Sequence, residues 1–187
     1  MDYSNIDLKK GSYLEYYEFS NKIIQDEVLI SNKILNDFKK IKLKKFKNLN
    51  TNYFNNKNIN KNTVNILSSL LKDTFFKLLK EFNYKELKII NFWFQKYNIN
   101  NLHEMHTHNC EGADLSFIVY LECTETSGNT LFYFPGYPYI NNDKCLSIKP
   151  KKGLCLIFPA YMPHLTELNK DNKRFIVSGN LKLIDKI

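Results

Sequence analysis

Three of the four histidines fall within six residues, His103, His106 and His108 of the stretch LHEMHTH, and the fourth, His164, follows an apolar run in FPAYMPHLTELN. In an extended strand, residues two apart project to the same side, so His106 and His108 point together while Thr107 faces away. His103 and His106 are out of phase, and only one of them joins His108. Two imidazoles from one strand and a third from a distant segment make a facial set of three nitrogen ligands with coordination positions left open. Such a set suits iron, and also zinc, copper, manganese or nickel. The plainer alternative is that the histidines are polar surface residues of an edge strand.

Ten residues beyond His164 stands Arg174, the sole arginine in a chain whose other basic residues are all lysine. A guanidinium fork binds a carboxylate through two parallel hydrogen bonds, which an ammonium cannot do. One arginine in such a composition implies a demand for that geometry; an ordinary surface salt bridge is the bland alternative. Ser178 follows on the same face of the strand RFIVSGNL.

These residues need elements to position them. Short runs rich in β-branched and aromatic residues succeed one another from Glu86 onward: LKIINFWFQKY, LSFIVYLEC, NTLFYFPG, KCLSIKP, GLCLIFPA and RFIVSGNLKLI. Turn signals such as TSGN, PGYP and PKKG separate them, the pattern of an antiparallel sandwich or barrel. A turn at Gly153 leads into an apolar strand Leu154–Phe158, a break at Pro159, and His164 delivered by a loop.

The first half reads differently. NKILNDFKKIKL, from Asn32, and TVNILSSLLKDTFFKLLKEF carry apolar residues at helical spacing, which predicts two amphipathic helices, the second capped near Asn62 or Thr63. Between them NLNTNYFNNKNINKN predicts a loop. Helices followed by strands give an α+β domain with the helices on one sheet face. Residues 1–85 form a mainly helical support region and 86–187 the β core of one domain.

At 187 residues, 43% hydrophobic, the chain is long enough for a real core. The net charge of +8 invites a nucleic-acid reading. In the densest run, KKIKLKKFK, Ile41, Leu43 and Phe46 interrupt the lysines, which predicts apolar residues facing inward and a solvated basic face. The abundance of Asn, Lys and Ile fits AT-rich coding and weakens any inference from charge to partner. Cys110, Cys123, Cys145 and Cys155 lack metal or C-x-x-C spacing, so free thiols in a reducing compartment are expected. MDYSNIDLKKGSYLEYYEF lacks the apolar core of a signal peptide and no window reaches the length of a membrane span, which predicts a cytoplasmic protein.

From about Phe92 to Leu183 the chain resembles the iron(II)- and 2-oxoglutarate-dependent oxygenases, and more closely their short phage and marine-bacterial members. The resemblance runs in order through WFQKYNINNLHEMHTH, LSFIVYLE, SGNTLFYFPG, KPKKGLCLIFPAYMPHLTE and KRFIVSGNL. It implies a double-stranded β-helix, or jelly roll, with His106 and His164 as iron ligands. It also implies that Arg174 clamps the distal carboxylate of 2-oxoglutarate, helped by Ser178 and Tyr97, with Asn180 and Tyr120 lining the pocket. Most of the superfamily has a carboxylate two residues after the first histidine. This chain has His108 there, as short phage-type members often do, which makes a neutral imidazole the third ligand in place of an anion. Neither Asp114 nor Glu111 has the two-residue spacing from a histidine. The implied reaction consumes 2-oxoglutarate and O₂, releases succinate and CO₂, and hydroxylates a C–H bond of a peptide side chain or small metabolite.

Two rivals share the architecture. A cupin-type metal-dependent dioxygenase fits H-x-H with Gly153, Pro159 and His164, but lacks the expected glutamate and has no need of Arg174. A non-catalytic jelly-roll binding or structural protein would have no reason to keep His106, His108, His164 and Arg174 together. A nucleobase demethylase ranks lower, for want of a basic stripe interleaved with aromatics. The expected sources of selectivity are the helical half, the loop YPYINNDK and the segment between His108 and Leu115.

Overall fold

The longest apolar strands are covered on both faces, and this sorts their side chains into two cores. A computed structural model describes residues 22–108, 112–133 and 145–186, without the side chains of 56–58. Eleven strands are described: β1 Ile24–Glu27, β2 Lys44–Phe46, β3 Leu49–Thr51, β4 Tyr84–Tyr97, β5 His103–His106, β6 Leu115–Glu122, β7 Thr130–Tyr133, β8 Cys145–Ile148, β9 Leu154–Pro159, β10 His164–Thr166 and β11 Arg174–Lys186. They form a seven-stranded sheet of order β1-β9-β6-β11-β4-β3-β2 and a four-stranded sheet of order β5-β10-β7-β8. Every pairing is antiparallel.

Alternation along β6, β9 and β11 assigns the cores. Phe117, Val119, Leu121, Cys155, Ile157, Phe175 and Val177 face the helices, with α1 (Asn32–Lys39) and α2 (Lys61–Phe82) laid over them. Ile118, Tyr120, Leu156, Phe158 and Ile176 face the smaller sheet, where Phe132 and Met162 meet them. The helices therefore pack on one face of the large sheet. None of the described helices is long and apolar enough to cross a membrane.

Helix α2 buries Leu67, Leu71, Leu78 and Phe82, whose spacings of four and seven keep one stripe inward. It starts two residues before the sequence-based expectation. The cap is Asn60, not Asn62 or Thr63, because the Asn60 Oδ1 accepts the Thr63 N–H at 2.9 Å. Helix α1 is capped by Ser31 and stops at Lys39, short of the predicted 43.

The asparagine-rich stretch is not simply a loop. It contains β3 and a 3₁₀ turn, Tyr53–Asn58, and β2 pairs with β3 as a hairpin. Two side chains stitch this hairpin to β4: the Thr51 hydroxyl donates to the Phe94 carbonyl, and the Asn52 Oδ1 accepts the Phe94 N–H. Asparagine here supplies hydrogen bonds that composition alone hides. In the lysine-rich run, Ile41 and Leu43 pack against the helix-side core as expected, but Phe46 is exposed, edge-on to Phe54. Among the described residues its strand ends the sheet, with no strand outside it to bury the ring.

Asn60→Ala is expected to cost about 1 kcal/mol in chemical unfolding, the usual loss for a helix cap. Asn62→Ala, inside the first turn, should cost far less, and equal losses would contradict the assignment of the cap.

Candidate metal centre

Strand pairing brings the distant histidine to the others. His164 on β10 is the register partner of His106 on β5, and Phe132 on β7 flanks it on the other side. His164 therefore sits on a short strand, not in the loop expected from the sequence; three residues are too few to leave a legible pattern. β5 ends at His106, and the next turn is held by the His108 N–H donating to the Ala160 carbonyl at 2.6 Å. The three rings converge, with centroids 4.2 Å apart for His106–His164, 5.1 Å for His106–His108 and 5.0 Å for His108–His164. One ligand atom from each lies within 4.8 Å of the other two.

The outward nitrogen of each ring is already engaged. Nδ1 of His106 faces the Glu104 carbonyl at 2.8 Å, that of His164 the Met162 carbonyl at 3.0 Å, and that of His108 the Asn180 Oδ1 at 3.0 Å. An acceptor at Nδ1 places the proton there and leaves Nε2 as the lone pair for a metal, the usual way a protein fixes the tautomer of a ligating histidine. Asn180 is itself oriented by the Ser116 hydroxyl, which donates to the same oxygen at 2.9 Å. Trp93 stacks on His108 at 5.4 Å, and Phe158 and Phe132 enclose His164.

Burial keeps these imidazoles neutral. It lowers His108 to about 4, helped by His106, and His103 to about 3, helped by His106 and His108. His106 is lowered by burial, and His164 falls well below the usual range through burial and the other histidines. Among the described residues no carboxylate joins the cluster. Asp114 is committed elsewhere, accepting from the Leu183 N–H and from Lys182. Glu111, Cys110 and the loop YPYINNDK lie outside the described residues, as does part of the segment after His108. Cys123, Cys145 and Cys155 are free thiols.

Arg174 is fully buried and has no carboxylate within salt-bridge distance among the described residues. Its Nε donates to the Gly128 carbonyl at 3.2 Å and its Nη2 to the Thr130 hydroxyl at 2.9 Å, while Nη1 has no hydrogen-bond partner among the described residues. The guanidinium lies against the faces of Tyr97 and Tyr120, 4.4 and 5.3 Å from the ring centres. The Tyr120 hydroxyl is 2.6 Å from that of Thr130, and Tyr97 donates to Gln95. A buried cation with no anion beside it among the described residues costs several kcal/mol, and an anionic group at Nη1 would offset that cost.

The two features share one sheet face. Register pairs Arg174 with Tyr97, Ser178 with Trp93, and Asn180 with Ser116. Arg174, Ser178 and Asn180 therefore project to one side of β11, with Ser178 between the guanidinium and the amide that holds His108. Thr130, Trp93 and Gln95 escaped the sequence reading, since nothing in their local spacing marks them out. His103 lies with its ring 3.9 Å from that of His106, outside the converging three.

No protein-family profile matches the chain, and no curated protein matches it. Solved structures do. A 2OG-Fe(II) oxygenase family oxidoreductase from Burkholderia pseudomallei superposes with a TM-score of 0.55 at 15% identity, over 65% of this chain and 56% of that one. In fold, the chain is similar to the 2OG-Fe(II) oxygenases. A Pseudomonas putida prolyl-4-hydroxylase gives a TM-score of 0.63 at 9% identity, over 91% of this chain and 96% of the other. The viral collagen prolyl hydroxylase of Paramecium Bursaria Chlorella virus-1, solved as its 2OG complex, gives 0.58 at 14%, over 87% and 96%.

Unfolded histidines take up protons near pH 6.5, whereas His103 and His108 in the fold do so only near 3 and 4. Below pH 6.5 the unfolded state binds more protons, so stability falls as pH falls. The thermal midpoint of the metal-free protein should drop between pH 7 and pH 5; an unchanged midpoint would contradict neutral, buried histidines.

Proposed function

We propose that the protein is an iron(II)- and 2-oxoglutarate-dependent oxygenase that hydroxylates a peptide side chain or small metabolite. The observation that carries this reading is the fully buried Arg174, whose Nη1 has no hydrogen-bond partner among the described residues, on the same sheet face as the side chains that support three converging neutral histidines. The jelly-roll arrangement and a single domain of 1–187 belong to the same proposal.

The residues present fit both groups. His106, His108 and His164 would hold iron(II) through Nε2, and Arg174 would receive the distal carboxylate of 2-oxoglutarate. Iron(II) and 2-oxoglutarate, when bound, supply the oxidising power drawn from O₂ and release succinate and CO₂. The chain's own part is positioning. Nη1 offers a charge-assisted hydrogen bond to an incoming carboxylate, and Thr130 fixes the guanidinium plane by accepting from Nη2. Tyr97 and Tyr120 cover its faces and exclude water, and burial holds the Tyr120 phenol protonated. Ser178 lines the same face. Asn180 keeps the His108 ring turned toward its two neighbours.

A cupin-type or silent jelly roll gives no reason to bury a guanidinium in the fold without an anion. In calorimetric titration, Arg174→Lys should weaken 2-oxoglutarate at least tenfold and leave iron(II) affinity nearly unchanged, whereas His164→Ala should abolish both. Equal losses of the two ligands from both variants would contradict the assignment.

A further inference from the structure

The basic hairpin and the histidine strand each end a sheet, and they end it side by side. Among the described residues β2 is the terminal strand of the large sheet and β5 the terminal strand of the small one. Between them lies a cleft of about 270 Å³ lined by Phe46, Lys47, Leu49, His103, Met105 and His106. The ion pair Lys47–Glu104, at 3.4 Å, links the two edges. His106 belongs to the histidine cluster, so the cleft opens directly beside it.

Three features describe what would fill this place. The cleft is smaller than the roughly 300–1,000 Å³ of sites that enclose a whole small molecule, and suits one side chain reaching in from a longer chain. Phe46 and Met105 stand 42% and 48% exposed at its walls, more apolar surface than water favours. Among the described residues no strand lies beyond β2, so its edge presents backbone groups of the kind to which an extended peptide adds.

Charge completes the description. Lys44 and Lys45 of β2 and the nearby Lys42 have no carboxylate partner among the described residues. Lys42 and Lys44 line a second hollow of about 490 Å³ with Asn52 and Asn60. Lys44 and Phe46 are two apart on one strand, so these two lining residues stand about 7 Å apart along β2.

We infer that the substrate is an acidic, extended polypeptide that adds as a strand to β2, sets a carboxylate in the lysine-lined hollow and delivers its reacting side chain through the Phe46–Met105 cleft. This rests on the oxygenase reading only for what happens to that side chain. Nucleic acid would satisfy the lysines, but gains nothing from an open backbone edge.

The test uses fluorescence anisotropy with the full chain and a labelled eight-residue peptide in which glutamate and phenylalanine stand two residues apart, on one face of an extended strand, with and without iron(II) and 2-oxoglutarate. The peptide should bind in low salt, and Lys42→Glu with Lys44→Glu should weaken it at least tenfold. The same charge change at the exposed Lys72 and Lys80 of α2 should leave it within twofold. Methylating alternate backbone nitrogens of the peptide should also weaken it at least tenfold. Absence of binding, equal loss from both lysine pairs, indifference to methylation, or tighter binding of an eight-nucleotide oligothymidylate would overturn the inference. Peptide binding that persists in a protein taking up neither iron(II) nor 2-oxoglutarate would remove the oxygenase reading and leave the docking surface standing.

Discussion

A guanidinium taken wholly out of water must be answered by an opposite charge or by a cage that replaces its hydration, and Arg174 has only part of such a cage. Gly128 and Thr130 satisfy Nε and Nη2, Tyr97 and Tyr120 cover the faces, and Nη1 is left over among the described residues. Replacing hydration this incompletely is costly, and in the proposed function an arriving carboxylate offsets that cost. Around that constraint the central strands must hold their register, because a slip of one residue would turn Arg174 into the helix-side core beside Phe175 and Val177.

The same register makes the metal centre. Pairing of β11 with β6 sets Asn180 against Ser116, and their shared hydrogen bond turns the amide oxygen to His108. Pairing of β10 with β5 sets His164 against His106. Two ladders in two sheets must therefore both be right for three imidazoles to meet. Burial between the sheets then removes their protons, so the nitrogens face one another as lone pairs without mutual charge repulsion.

Legibility in the sequence followed burial and rarity. β4, β6, β9 and β11 are long and covered on both faces over much of their length, and their apolar runs mark them clearly. β1, β2, β3 and β10 have three or four residues each, and β2 reads Lys-Lys-Phe at a sheet edge, so no apolar pattern survives. The histidines and the single arginine stand out because lysine and asparagine crowd everything else. That same crowding hides Asn52 and Asn60, whose hydrogen bonds depend on a partner brought close only by folding. Thr130 is hidden likewise, since its worth lies in facing Arg174 from another strand.

The most direct test of the account is an anaerobic titration of the metal-free protein with iron(II) and then 2-oxoglutarate, followed by visible absorption. A charge-transfer band that requires both additions, and is lost in His108→Ala, is the predicted result. Iron(II) binding with no band on adding 2-oxoglutarate would contradict the account.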